Sequence, residues 1–564
     1  MTQASPTTLD PITLEIISNG LRSVADEAFV ALMRSAYSTN IKERRDHSTA
    51  IMDPAGRLVV QAEMSLPIHL ASMTGLMASL LKKFGNDIKQ GDIFVANDPH
   101  VAGGTHLPDV NMAMPIFDDG RLVAFMCNIA HHADIGGMAP GSMAGGMSEI
   151  YQEGLRIPVV KLFREGVLQD DLFELMLLNV RVPEERRGDY FAQIAACRLG
   201  ERRLHELFET HGAVAIGGAF GEIIERTSER LRSAIAELPN GVYRFEDVMD
   251  DDGLGAVDIP IKVEITVKGD AIRFDFTGSA KQVKGNINLT RNATEAAVAY
   301  SLKALLDPDV PNNQGVLDVP EIVIPKGTLL DANFPAPVAA RANTSQRIID
   351  VVIGALAQAC PDEAVAAANG ANTTAVFSGT DPRTGRNYVY LETLGGGFGG
   401  RATHDGKDGV QVHITNTSNL PVESIETEYP LRVDAYSFVE DSGGPGRHRG
   451  GLGLKRVIRP VGHDCIFSGA GERFSHKPWG LFGGGEGGMG QFHHQGADGT
   501  LTKLANKPND IQVAEGEAVI VETPGAGGYG PADERAEEDL ARDRTSGKFS
   551  DDYLKANYRR DAAE

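Results

Sequence analysis

Asp92-Ile93-Phe94-Val95-Ala96 runs directly into Asn97-Asp98-Pro99-His100, then Gly103-Gly104-Thr105-His106-Leu107-Pro108-Asp109. Further on, Arg121-Leu122-Val123-Ala124-Phe125-Met126-Cys127 runs into Asn128-Ile129-Ala130-His131-His132-Ala133-Asp134-Ile135-Gly136-Gly137. Residues 92–96 and 121–127 are short and apolar, the pattern of buried strands. Each ends in a cluster of His, Asp, Asn and Gly, so the two clusters can meet at one end of a sheet, where α/β proteins commonly place their sites. Four of the chain's 15 histidines fall in this stretch. Imidazole nitrogen and carboxylate oxygen converging on one point suit a borderline divalent metal. The competing reading is that Asp caps turns and Gly takes positive φ, with no site at all.

Outward from this stretch the texture changes about three times. Apolar positions from Ile12 to Met33 recur at helical spacing and predict a long helix over 12–40. Thr49–Met52 and Leu58–Val60 flank Asp53-Pro54-Ala55-Gly56, a turn between strands. Helical patterns return at 70–84 and 183–238, the latter expected to break at Gly212 and at Gly217-Gly218. Alternation at 260–267 and 272–276 predicts strands, and 292–306 and 345–359 read as helices. Glycine-rich turns and short strands fill the chain from 380 to Gly530, before a charged helical tail suited to docking. The mixture is α+β. The expected division is 1–240 as a lobe with the metal site, 241–380 as a mixed middle region, 381–534 as a Gly-rich, β-rich region and 535–564 as the tail.

With 564 residues, 42% of them hydrophobic, and no run of eighteen apolar residues, a soluble multi-lobed protein is expected. Residues 1–11 lack the pattern of a signal peptide, which points to the cytoplasm. The net charge of −23 argues against nucleic acid and against an anionic membrane face. Cys127, Cys197, Cys360 and Cys465 are far apart without CxxC spacing, so buried reduced thiols are expected. GxGxxG matches such as those at Gly395, Gly483 and Gly525 are what a chain with 64 glycines produces by chance, and none opens a crossover helix. No P-loop, HExxH or GxSxG occurs, and His493-His494 reads as surface in a polar loop.

Three blocks resemble the hydantoinase B/oxoprolinase family, which also includes a subunit of acetone and acetophenone carboxylases. They are Glu43–Ile51 with Pro67-Ile68-His69-Leu70; the pair of clusters quoted above; and Gly395–Arg401 with Asp405–Gly409 and Asn419–Glu423. The resemblance spans nearly the whole chain and implies a hydantoinase B-type α+β fold. It also implies a hydantoinase A-type partner that binds ATP and Mg, in a heterotetramer or larger assembly, which agrees with the missing P-loop. Carried over, the family's ligands for one divalent metal (Mn, Zn or Fe) are Asp46, His106, Asp109 and His131. Asp46 taken alone looks like a turn residue. His132 could serve as acid/base or could orient a ligand, and Asp98 and Asp134 suit outer positions.

The chemistry implied is ring opening of a cyclic amide (hydantoin, oxoproline or lactam), with the partner phosphorylating the amide oxygen and this chain hydrolysing the activated intermediate. The alternative is ATP-dependent carboxylation of a ketone. The chain lacks the extra length expected of the carboxylase subunit, which favours the hydrolase. A non-catalytic scaffold, indifferent to loss of His106, is the reading from another class. One departure stands out: Ala340-Arg341-Ala342-Asn343-Thr344 replaces the glycine-rich form expected before Ser345-Gln346-Arg347.

Overall fold

The two polar clusters meet because the strands before them run in the same direction, each antiparallel to a third strand that lies between them. In the computed structural model, which describes residues 9–558, a seven-stranded sheet has the order β2-β1-β5-β4-β3-β6-β7. Its strands are β1 (His47–Met52), β2 (Leu58–Gln61), β3 (Ile93–Ala96), β4 (Asp109–Asp118), β5 (Arg121–His131), β6 (Val160–Arg164) and β7 (Val167–Leu168). Asp119 and Gly120 join β4 to β5 at φ of 46° and 73°. An Asp-Gly pair in the left-handed region matches the twist of a tight hairpin. The register of that hairpin sets Asp109 opposite His131, while His47 on β1 pairs with Ala130. Asp46, His131 and Asp109 therefore sit side by side at one end of three adjacent strands.

Both faces of the sheet are covered. Ile51, Val95, Met112 and Met126 pack with α1 (Pro11–Ser35), α5 (Pro183–His211) and α6 (Ala213–Ala236). Between α1 and α5 the chain also forms the short α2 (Thr39–Lys42), then α3 (Leu70–Phe84) and α4 (Asp170–Leu178). Ala50, Phe94, Ala113 and Cys127 face the other way, into a core shared with α3, α7 (Arg291–Leu306), α8 (Gln314–Asp318) and α9 (Arg341–Leu356). A second sheet, β11-β10-β9-β8, joins that core through β8 (Gly241–Asp251), β9 (Val257–Lys268), β10 (Ala271–Asp275) and β11 (Glu321–Val323).

The C-terminal strands are β12 (Thr373–Thr380), β13 (Asn387–Leu394), β14 (Leu431–Phe438), β15 (Leu454–Pro460), β16 (Cys465–Ala470), β17 (Gln491–Gln495), β18 (Leu501–Lys503), β19 (Ile511–Val513) and β20 (Ala518–Glu522). They form two sheets, β13-β12-β16-β19 and β14-β15-β20-β17-β18. The Gly395–Gly400 run opens no helix; it threads between other glycine-rich segments. A Cβ on Gly399 would come within 1.8 Å of the Ala366 carbonyl oxygen, so side chains are excluded by close backbone packing.

Several expectations need correction. The first long helix ends at Ser35. Gly212 does break the long helical pattern, at φ of 80°, but Gly217-Gly218 lies inside α6 with open space around both residues. The helix expected from 345 begins at Arg341, and His493-His494 lies on β17, with His494 Nε2 2.9 Å from Glu517. The tail is helical, as its sequence indicates: two short helices, Glu537–Thr545 and Asp551–Asn557, pack on the chain's own surface through Phe549 and Leu554. Arg535 there bridges Asp405 at 2.7 Å and Asp543 at 2.8 Å. No helix of the described residues is long and apolar enough to cross a membrane.

Candidate metal centre

Successive strand residues point to opposite faces. Ala113 on β4, and Cys127 and Ile129 on β5, face the core beneath α3, so by parity Asp109 and His131 do too. His106 reaches the same point from the loop three residues ahead of Asp109. Its Nε2 lies 3.0 Å from Asp109 Oδ1 and 3.2 Å from His131 Nδ1, and His131 Nδ1 is 3.1 Å from the same carboxylate oxygen. All three residues are buried, and their donor atoms lie within 4.8 Å of one another.

The donor set fits a divalent metal on structural grounds. The carbonyl oxygen of Ala339 is 2.9 Å from His106 Nδ1 and can only accept, so the ring proton sits on Nδ1 and the Nε2 lone pair faces the cluster. Ligating histidines are commonly fixed this way. His131 Nε2 is buried with no protein partner. Burial, reinforced by Arg341, pushes His106 down to about 4, which keeps it neutral as a ligand must be. Burial alone would raise Asp109, but its neighbours, with Arg341 the permanent cation among them, outweigh it and hold the carboxyl well below the usual range.

Arg341, at the start of α9, supplies that charge: its guanidinium donates to Asp109 Oδ2 and, through Nε, to Thr105 Oγ1 at 2.8 Å. The departure noted at 340–344 is therefore the first turn of a buried helix, with its arginine aimed at the cluster. Glu153 supports the opposite side. Its Oε1 accepts the N–H groups of Val338 at 2.6 Å and Ala339 at 2.7 Å, which fixes the carbonyl that orients His106.

Asp46 stands at the edge of this group and is not among the three converging residues. Its carbonyl accepts the His131 N–H at 3.0 Å, and its carboxylate lies 3.9 Å from Arg44 and 4.0 Å from His69 Nε2. His69 was quoted above only as part of a sequence block, yet it is fully enclosed here. Its Nδ1 is 2.8 Å from Ser48 Oγ, and its Nε2 is 3.7 Å from Asp109 Oδ2. Its sequence signal is weak, a single His in the short turn Pro67–His69 before α3.

His132 lies next to His131 but points the other way. Its Nε2 is 3.0 Å from Gln193 Oε1 and its ring packs on Tyr190, both on α5. Burial, with Arg186 nearby, pushes it down to about 4. Alternation thus sends the expected acid/base group to the face opposite the carboxylates. Asp98 accepts the N–H groups of His100 and Val101 and pairs with Arg156, while Asp134 caps Gly136 and Gly141 and pairs with Arg181. For these two the turn reading describes what they do; they brace the loops that carry the ligand candidates.

Known proteins match this architecture. The family model for hydantoinase B/oxoprolinase matches residues 10–532. The beta subunit of caprolactamase from Pseudomonas jessenii is 30% identical over 98% of this chain and 96% of its own. A crystal structure of ATP-dependent caprolactamase from that organism superposes with a TM-score of 0.91, at 28% identity, over 99% of this chain and 98% of that one. 5-oxoprolinase 1 of Arabidopsis thaliana is 36% identical over 92% of this chain, which spans only 42% of that longer protein. Acetone carboxylase shares the fold at a TM-score of 0.90 and 19% identity, covering 97% of this chain and 79% of that one. The chain belongs to the hydantoinase B/oxoprolinase family, a family of cyclic-amide hydrolases.

Proposed function

We propose that this chain is the metal-dependent subunit of an ATP-dependent cyclic-amide hydrolase, acting with a hydantoinase A-type subunit that uses ATP and Mg. The observation that carries the reading is the buried His106–Asp109–His131 cluster with the His106 tautomer fixed by Ala339. These three residues, with Asp46 at the rim, would hold one divalent ion. When bound, such an ion supplies Lewis acidity at the amide carbon and its oxygen.

The protein's own groups do the rest. Arg341 keeps Asp109 ionised and fixed in direction. Facing two carboxylates, His69 carries its proton on Nε2, while Nδ1 accepts the hydroxyl of Ser48, whose oxygen in turn accepts the Leu66 N–H at 3.0 Å. That places an acid/base group on the cluster's side of the sheet. His132 acts at one remove, tying the end of β5 to α5 through Gln193. Net, water adds across the amide C–N bond, whose carbon becomes a carboxylate and whose nitrogen becomes an amine. The partner's phosphoryl group, placed on the amide oxygen, makes that carbon a better electrophile, and a second water then releases it as inorganic phosphate.

The names of the relatives support the division of labour, since the caprolactamase chain is called subunit beta. The test uses this chain with its ATP-binding partner, on a panel of oxoproline, hydantoins, lactams and ketones, with and without bicarbonate. ATP-dependent gain of one water, unaffected by bicarbonate, supports the hydrolase. Gain of carbon dioxide only when bicarbonate is present would assign the chain to ketone carboxylation instead.

A further inference from the structure

A cavity of about 540 Å³ lies between α7 and the 398–416 segment, with Ser65, Pro67 and Leu70 also in its lining. That volume is in the range of small-molecule sites. Its lining is apolar at Leu70, Tyr300 and Phe398 and also carries Lys303, Arg401 and His413. Among the described residues the Arg401 guanidinium makes no hydrogen bond or ion pair, and its Nε is shielded from solvent without a partner. Lys303 Nζ meets only the neutral Asn312 Oδ1, at 3.0 Å, and burial lowers its pKa. Two cations thus face one cavity without a bonded carboxylate. The lining carboxylate, Glu63, is exposed and pairs with neither.

The wall is built to stay put. The glycine run before Arg401 packs backbone on backbone, which fixes Phe398 and Arg401 at the rim. His413 is held at a φ of 49°, with Nε2 3.2 Å from Asp350 Oδ1 and its ring 5.5 Å from Phe398 and 6.0 Å from Tyr300. A non-glycine residue in that region persists only when its surroundings enforce it. The lining contains none of the four ligand candidates, although Pro67 and Leu70 flank His69. The 412–418 segment is tied to the Arg44 carbonyl by Ser418 N–H at 3.0 Å and to Gln346 Nε2 by Thr415 Oγ1 at 2.6 Å.

We propose that this cavity binds a small organic carboxylate, with Arg401 and Lys303 taking the anion and Phe398, Tyr300 and Leu70 its apolar body. A guanidinium fork matches a carboxylate in two places. Phosphate is the poorer match, because phosphate sites draw on backbone N–H groups at a helix N-terminus, and α7 lines this cavity with residues from its middle and end. The assignment does not depend on the proposed reaction.

The test is titration calorimetry on the full-length chain with benzoate, its neutral isostere benzamide, and inorganic phosphate. Wild type, Arg401→Gln, Arg401→Lys, Lys303→Met and His106→Ala are compared after their folding is checked by circular dichroism. Benzoate should bind at least about tenfold more tightly than benzamide or phosphate. Arg401→Gln and Lys303→Met should each remove most of that preference, Arg401→Lys should keep part of it, and His106→Ala should keep all of it. The site is refuted if benzoate gives no binding, if benzamide or phosphate matches it, or if the preference survives both Arg401→Gln and Lys303→Met. Loss of benzoate binding in His106→Ala would place the anion at the metal cluster and equally overturn the assignment.

Discussion

Asp109 and His131 face each other directly across the β4–β5 ladder, with His131 Nδ1 3.1 Å from Asp109 Oδ1. A cross-strand pair of this kind cannot drift, because its spacing is set by the backbone ladder. His106 and Arg341 then approach the same carboxylate from a loop and a helix.

Asp109→Asn should remove bound metal and destabilise the fold, because Arg341 would be left buried without its counter-charge. Breaking one side of a buried pair typically costs about 3–5 kcal/mol. Asp109→Asn with Arg341→Met should recover much of that loss in chemical denaturation without recovering metal. If the double variant is no more stable than the single one, Arg341 and Asp109 are not a coupled pair.

His69→Gln should lower kcat by roughly 10²–10⁴, the usual worth of a positioned acid/base group. His132→Gln should stay within about tenfold of wild type, as expected for a residue that acts only through its neighbours. Rates with the partner subunit decide between them, and the reverse order would return the acid/base role to His132.

Glu153 gives a pH signature. Burial raises its carboxyl to about 8, against the lowering effect of the Ala339 and Val338 N–H bonds. The folded state then holds a proton that the unfolded chain releases near its ordinary value of 4.5. The contribution is full below that value and is lost as pH rises towards 8. Glu153→Gln keeps the accepting oxygen and should flatten this loss, so its melting temperature should exceed that of wild type at pH 8 by more than at pH 5. An equal offset at both values would mean that Glu153 is ionised in the folded protein.

Much of this site could be read from the chain, and the remainder is informative. Residues 92–96 and 121–127 showed as strands because both are apolar and short, and β5 simply continues to His131. β4 is harder to read although residues 110–117 are apolar apart from Asn111, because it begins at Asp109, a residue that reads as part of the loop cluster. The neighbours His131 and His132 could not be ranked without the strand's end, since alternation alone sends them to opposite faces. Arg341 and Glu153 were illegible for a different reason. Arg341 meets Asp109 across 232 residues of chain, and Glu153 acts on His106 only through Ala339, 186 residues further along. No local pattern encodes such a distance. Asp405 and Asp408, prominent in the third sequence block, prove to be anchors for Arg535 and Arg449.

The most direct test compares wild type with His106→Ala, each assembled with the ATP-binding partner, for bound divalent metal by elemental analysis and for ATP-dependent ring opening of cyclic amides. One ion per chain and turnover in wild type, with both lost together in His106→Ala, is the predicted result. Full turnover in an assembled His106→Ala complex would contradict a metal-centred active site and make this chain a scaffold for its partner.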